Sequence, residues 1–151
     1  MPQFIGTSMT RGFAGDLTRG YYDNTTEVKV NDASAPVSAF GVPVKINSSG
    51  TGVTPVTAAA DAVYGFSVRL VGQVYSSPAG QYVQSQQPVT VMRRGYMAVA
   101  LESGTAALGG KVYLNATGKI SADSSSNTEI PNCIFMGAAD ADGLVEIAFN
   151  I

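Results

Sequence analysis

Apolar and polar positions alternate along this chain in short bursts. Thr26–Val30 reads TEVKV, which places Thr26, Val28 and Val30 on one face with Glu27 and Lys29 between them, the pattern of a half-buried strand. Phe40–Ile46 groups Phe40, Val42, Val44 and Ile46 against Gly41, Pro43 and Lys45. Pro43 has no N–H for a ladder, so an edge strand or a bulge is expected there. Val63–Val71 sets Tyr64, Phe66, Val68 and Leu70 against Gly65, Ser67 and Arg69. Pro88–Leu101 reads as two short strands or one strand bent at Gly95, and Lys111–Asn115 as another short strand. Near the end, Asn132–Ala139 and Leu144–Ile151 flank Asp140–Gly143, and the Asp142-Gly143 pair is a strong hairpin signal. The last strand puts Val145, Ile147, Phe149 and Ile151 on one face.

Between the bursts lie 17 glycines and 7 prolines, too closely spaced for a long helical period. Thr57–Val63 has room for a turn or two. Lys119–Pro131 is Ser-rich and reads as an exposed loop; Tyr75–Pro88 reads as another, with a short segment embedded in it. No repeat or composition break marks a second domain. The expected fold is all-β: a single antiparallel β-sandwich or barrel, residues 23–151, with an extended N-terminal arm, residues 1–22. A chain of 151 residues buries about two-thirds of its surface on folding, enough for a core without disulfides.

The leader resists this scheme. Arg11–Tyr22 has neither a helical nor a strand period and is broken by Gly12, Gly15 and Gly20. Yet it carries Phe13, Leu17, Tyr21 and Tyr22. One reading is a flexible tail plus a first strand, with Tyr21 and Tyr22 tucked into the domain's own core. The other is a segment that finds its apolar partners on a neighbouring molecule.

Composition narrows the function. Charged residues are 13% of the chain, about half the usual share, which suggests that much of the surface faces protein. The net charge of −2 offers nothing to nucleic acid. Seven tyrosines without a basic stripe point to protein contact rather than base stacking. No basic-then-apolar start marks a signal peptide, and no stretch approaches the ~20 apolar residues of a membrane span, so the protein is expected to work without export.

With no histidine, histidine triads and most zinc sites are ruled out. The single Cys133 allows no intrachain disulfide, and its apolar neighbours mark it as a core residue. Asp140 and Asp142 lack the further ligands of a calcium loop. Gly104–Lys111 fails the phosphate-loop register, with Gly110 where lysine is needed. Asp61 and Glu102 each stand alone near turns. Arg93 and Arg94 should point to opposite faces of a strand, toward an interface or solvent. No catalytic residue, cofactor or metal site is expected.

Two blocks of residues carry a resemblance. The first is GFAGDLTRG (Gly12–Gly20), followed by SAFGVPVKI (Ser38–Ile46) and DAVYGFSVR (Asp61–Arg69). The second runs from Gly109 to Asn150: a GGKVYLN hairpin, a Ser/Thr/Asn loop and a GLVEIAFN final strand. In this order they resemble the cement, or head decoration, proteins of tailed bacteriophages; IPNCIFMG departs from the pattern after the loop. The resemblance implies an all-β body without enzymatic activity that binds the outside of a capsid shell. Its implied partners are the major capsid protein and other copies of itself, as a homotrimer or, second, a dimer. Its implied location is the virion exterior, with the host cytoplasm during assembly.

On this reading the arm lies across neighbouring subunits. Phe4, Ile5, Phe13, Leu17, Tyr21 and Tyr22 would be its anchors, and Arg11, Asp16 and Arg19 would set register by salt bridges. Ordering such an arm costs about 1–2 kcal/mol per residue. Several buried aromatics, at about 1.5–3 kcal/mol each, and many copies on one shell would offset this. The rival reading is a carbohydrate-binding or adhesin-like module of a fibre or tail. It is disfavoured by the absence of Trp, the usual sugar platform.

Overall fold

The structure is a computed structural model that describes residues 12–70, 75–77, 80–82 and 87–151, with backbone alone for 75–77 and 80–82. A short 3₁₀ turn, Tyr21–Asp23, leads into β1 (Thr25–Asn31). There follow β2 (Pro43–Ile46), β3 (Gly52–Pro55), β4 (Gly65–Ser67), the small hairpin β5 (Tyr75–Ser77) and β6 (Gly80–Tyr82), and the long β7 (Pro88–Ala100). The chain closes with β8 (Lys111–Leu114), β9 (Ile120–Ser121), β10 (Thr128–Phe135) and β11 (Leu144–Phe149). No helix among the described residues is long and apolar enough to cross a membrane.

The main sheet runs β1-β3-β2-β4-β7-β11-β10-β8-β9, and β1 also pairs with β7. That extra pairing closes β1, β3, β2, β4 and β7 into a barrel. The pairings are antiparallel except β1 with β3, which run parallel through Val30–Gly52 and Asn31–Val53. The expectation of an all-β barrel or sandwich is met; its purely antiparallel form is corrected by this one seam. Pro43 is neither on an edge strand nor at a bulge. It is the first residue of β2, which lies between β3 and β4, and at that position the missing N–H is tolerated.

β7 is the spine. Pro88–Arg94 pairs with β1 in the barrel, and Gly95–Ala100 pairs with β11 in the second half of the sheet. It is one strand, and Gly95 at its bend has φ +137°. A side chain there would meet the Asn24 Oδ1 atom at 2.0 Å from its Cβ, so glycine is required both by conformation and by space.

Two cores result. Val37, Phe40, Val44, Val53, Val89 and Val91 fill the barrel. A larger core, with Phe66, Met92, Met97, Leu114, Ile130, Phe135 and Ile147 among its members, lies between the barrel's flank and the second half of the sheet. Phe66 and Phe149 meet edge to face within it, ring centres 5.2 Å apart. Cys133 is buried in this core, and desolvation pushes its thiol well above the ordinary range. Val145, Ile147 and Phe149 point into it, while Ile151 lies past the strand end and is exposed.

β1 is turned the other way. Glu27 and Lys29 stand opposite Val91 and Val89, and Asn31 opposite Val53, so the polar side of the strand faces the barrel interior. Val28 and Val30 face outward, 64% and 52% exposed. The inward polar groups are satisfied there. The Asn31 amide donates to the Val37 carbonyl (2.9 Å) and accepts from the Val37 N–H (2.7 Å). Glu27 accepts a short bond from the Tyr64 hydroxyl and pairs with Lys29 and Arg93. Arg93 in turn lies 3.5 Å from the centre of the Tyr64 ring.

Candidate interface

The leader's lack of period has a structural explanation. Gly15–Thr18 runs antiparallel beside the Tyr96–Ala98 part of β7, with Leu17 facing Met97 across a single bridge. Gly15 N–H donates to Ala98 O (2.8 Å), Ala98 N–H to Asp16 O (3.0 Å), and Thr18 N–H to Tyr96 O (3.2 Å). Arg69 N–H adds a bond to Gly15 O at 2.9 Å. These are main-chain contacts, so they need no hydrophobic alternation to form. Gly15 fits a slot closed by the body. A Cβ there would lie 2.7 Å from the Phe40 Cβ and 2.8 Å from the Gly41 nitrogen, and its φ is +90°.

Side chains then fix the register. Glu146, on β11, is 7% exposed and gathers the arm onto itself. It accepts from Thr18 Oγ1 (2.6 Å) and from Arg19 Nε (2.8 Å) and Nη2 (3.2 Å). Asp16 pairs with Arg69 at 3.3 Å, and the Arg69 guanidinium lies 4.4 Å from the centre of the Phe13 ring. Arg19 covers the Tyr96 ring in the same way at 4.6 Å. Between arm and body lies an open groove of about 810 Å³, lined by Asp16–Arg19, Val68–Leu70 and Glu146.

The far end of the arm is bracketed by Asn24. Its Nδ2 donates to the Arg19 and Gly20 carbonyls (3.2 and 3.0 Å), and its Oδ1 accepts from the Tyr96 N–H (2.8 Å). The turn that carries Tyr21 and Tyr22 is thus tied at both ends. The two rings, edge to face at 5.6 Å, stand on that turn 88% and 94% exposed.

Of the arm residues singled out by sequence, Phe4, Ile5 and Arg11 lie outside the described residues. Asp16 and Arg19 make their ion pairs with Arg69 and Glu146 of the same chain. Leu17 is half-buried against the larger core. Phe13, Tyr21 and Tyr22 point away, with Phe13 59% exposed. The reading in which Tyr21 and Tyr22 tuck into the chain's own core does not hold.

Sequence reasoning missed Glu146, Asn24 and Arg69. For Glu146 there was a signal: it is the one charged residue in LVEIAF, a run otherwise apolar. A register shift in the β1–β7 ladder falls at Arg93 and Arg94, so simple alternation does not decide their faces. Arg93 is held by Tyr64 and Glu27, whereas Arg94 is exposed and has no ion pair among the described residues. Among the described residues no cluster of three or more His, Cys, Asp or Glu side chains is placed to hold a metal. Chemically, the arrangement leaves aromatic groups exposed on a segment that is hydrogen-bonded to the body.

The model of one family, described as "Structural cement protein (E217 gp24/Pam3 gp6)", matches residues 1–150. This chain belongs to the phage structural cement protein family. It is therefore a structural protein of phages, as the order of its sequence blocks suggested. A chain in the solved structure "The capsid of Myoviridae Phage XM1" has a similar fold, with a TM-score of 0.71 over 99% of this chain and 97% of that one. Their sequences are 16% identical, so that likeness concerns the fold alone. No curated protein matches this cement-family chain.

Proposed function

We propose that this cement-family protein binds the outer surface of a phage capsid and bridges neighbouring capsid subunits, with its N-terminal arm as a principal contact. Self-association as a homotrimer, with a dimer as the second choice, belongs to the same proposal. The observation that carries it is the pose of Phe13, Tyr21 and Tyr22. Each is a large aromatic left largely exposed on a segment whose backbone is hydrogen-bonded to the body. Exposed aromatics on a rigid support are the usual makings of an interface anchor. Because the body already orders Gly15–Asn24, docking would fix few further backbone torsions there, and more of the aromatic burial would appear as affinity. Bridging raises the free energy of separating subunits, since each bound copy must be released first.

The test uses shells prepared without the protein. The full chain is expected to bind them and raise their melting temperature. The combined Phe13→Ala, Tyr21→Ala, Tyr22→Ala variant is expected to lose most of both effects while keeping its own fold. Full binding and full protection by that variant would overturn the role given to the arm. Point substitutions are preferable to deleting the leader, because deletion would also uncover the edge of β7 that Gly15–Thr18 occupies.

A further inference from the structure

We infer that Asn24 is a positioning residue for shell binding: its side chain, seated against the space left by Gly95, holds the Tyr21–Tyr22 turn in the pose that docks, without touching the partner itself. The inference rests on the reading that the arm's aromatics meet a shell, and it adds which group of this chain presets them.

Three observations carry it. First, the Asn24 side chain stands in for main chain. Thr18 N–H donates to Tyr96 O at 3.2 Å. In an antiparallel ladder that continued through this pair, the Tyr96 N–H would return to the Thr18 carbonyl. It goes instead to Asn24 Oδ1, at 2.8 Å. The arm thus leaves the edge of β7 after Thr18, and Asn24 supplies the acceptor. Second, the same amide closes the turn. Its Nδ2 donates to the Arg19 and Gly20 carbonyls at 3.2 and 3.0 Å. The turn's own main-chain bonds, Asp23 N–H to Gly20 O (3.0 Å) and Asn24 N–H to Tyr21 O (3.4 Å), span the same residues. One side-chain amide therefore joins both ends of the turn to each other and to the spine. Third, the body leaves room for it. Gly95 has φ +137°, and a Cβ there would collide with Asn24 Oδ1 and lie 2.9 Å from the Asn24 Cα.

The tyrosines do not fix the turn themselves. Their rings meet each other edge to face and stand almost wholly in solvent, so packing against the body contributes little. A single 3₁₀ turn without an anchor is conformationally weak. A partner binds only those protomers whose turn already has the docking pose, and apparent affinity falls with that fraction. Asn24, half-buried behind the turn, keeps the fraction high.

The experiment is a double-mutant cycle on the full chain, read as affinity for shells prepared without the protein. Its members are Asn24→Ala, the Tyr21→Ala, Tyr22→Ala pair, and all three substitutions together. Asn24→Ala should weaken binding about tenfold, the loss expected when the competent turn falls to about a tenth of protomers. In the background lacking both tyrosines it should add less than about twofold, because Asn24 acts through them. Asn24→Asp keeps an acceptor for the Tyr96 N–H and loses the bonds to the Arg19 and Gly20 carbonyls. It should also weaken binding, and it carries the test if Asn24→Ala does not fold. In free Asn24→Ala the amides of Asp23 and Tyr96 should exchange faster, while that of Val68, bonded to Thr90 O, keeps its protection. Wild-type affinity in both Asn24 variants, with binding still weakened by loss of the tyrosines, would overturn the inference and leave the reading of the arm standing. A tenfold loss in both backgrounds would overturn it as well, since Asn24 would then act elsewhere. Wild-type binding by the tyrosine pair variant would bring down both the inference and the tyrosines' part in docking. Faster exchange at Val68 too would make Asn24 a general support of the fold and overturn the inference equally.

Discussion

β1 and β11 both run beside β7, and they treat their side chains in opposite ways. β11 is buried from Leu144 to Phe149 on both faces; its inner face meets the larger core, and Glu146 on its other face is covered by the arm. β1 turns Glu27, Lys29 and Asn31 inward and leaves Val28 and Val30 in solvent. Both are β-strands in one sheet, paired to one spine. What differs is the cover. The arm supplies β11 with an outer layer, and within this chain nothing described covers the outer face of β1. A strand's burial is therefore decided by what lies over it, and a bare apolar face marks where a cover from another molecule would add the most.

The largest effect should come from the inner face of β11. Ile147→Ala should cost about 2–5 kcal/mol of unfolding free energy, because it removes a fully buried side chain and leaves a cavity. Val28→Ala, of comparable chemistry, should stay within about 0.5 kcal/mol. Urea unfolding of the two variants measures the contrast directly. Equal losses would mean that β1 is covered in solution and that the comparison is mistaken.

The arm's cover can be lifted next. Gly15→Ala forces a Cβ into the slot between Phe40 and Gly41 at a positive φ, and should cost about 2–3 kcal/mol. Glu146→Gln keeps the shape but loses the charge that gathers Thr18 and Arg19, and should cost about 1–2 kcal/mol. Hydrogen exchange distinguishes local release from global loss. In Glu146→Gln the amides of Gly15 and Thr18, which donate into β7, should exchange faster while the barrel amide of Val68 holds its protection. Uniform acceleration at all three would show that the arm is part of the cooperative core rather than a layer laid over it.

Much of this was legible beforehand, and the gaps have physical causes. Alternation located β1, β2, β4, β7 and β11, because a two-residue period follows from the pleat itself. It could not say which side of β1 was inward, since alternation defines two faces without ranking them. Here a half-buried network of Glu27, Lys29 and Arg93 around Tyr64 takes the inward side. The Ser-rich segment Lys119–Pro131, expected to be an exposed loop, instead contains β9 and the first half of β10, with Ile120, Ser121 and Ile130 buried; only Asn132–Phe135 of β10 was anticipated as strand. Barrel closure and the parallel β1–β3 seam depend on pairings between segments distant in sequence. The arm was legible as an anomaly but not as a strand. It docks through backbone bonds and a glycine slot, neither of which leaves a hydrophobic pattern. Glu146 stood out as a charge in an apolar run, yet its partners, Thr18 and Arg19, lie far away in sequence.

The smallest effect concerns acid, and it lies at the barrel end of the molecule, where β1's polar face is turned. Asp61 is held below the ordinary carboxylate range, chiefly by its bond from Lys45 (2.8 Å) and then by the Thr57 and Ala58 amides. Asp32 is lowered further, first by the Ser34 hydroxyl and then by Asn47. Both carboxyls bind protons less readily folded than unfolded, where the value is about 3.9. Their contribution to stability is therefore fully present above about pH 4–5 and is lost as pH falls through the lowered folded values. Asp61→Asn should accordingly be less stable than wild type at pH 7, with the gap closing as the pH is taken down toward 2. Denaturation midpoints at pH 7, 4 and 2.5 follow that gap. A gap that stayed constant would show that the contacts of Asp61 act through its shape rather than its charge.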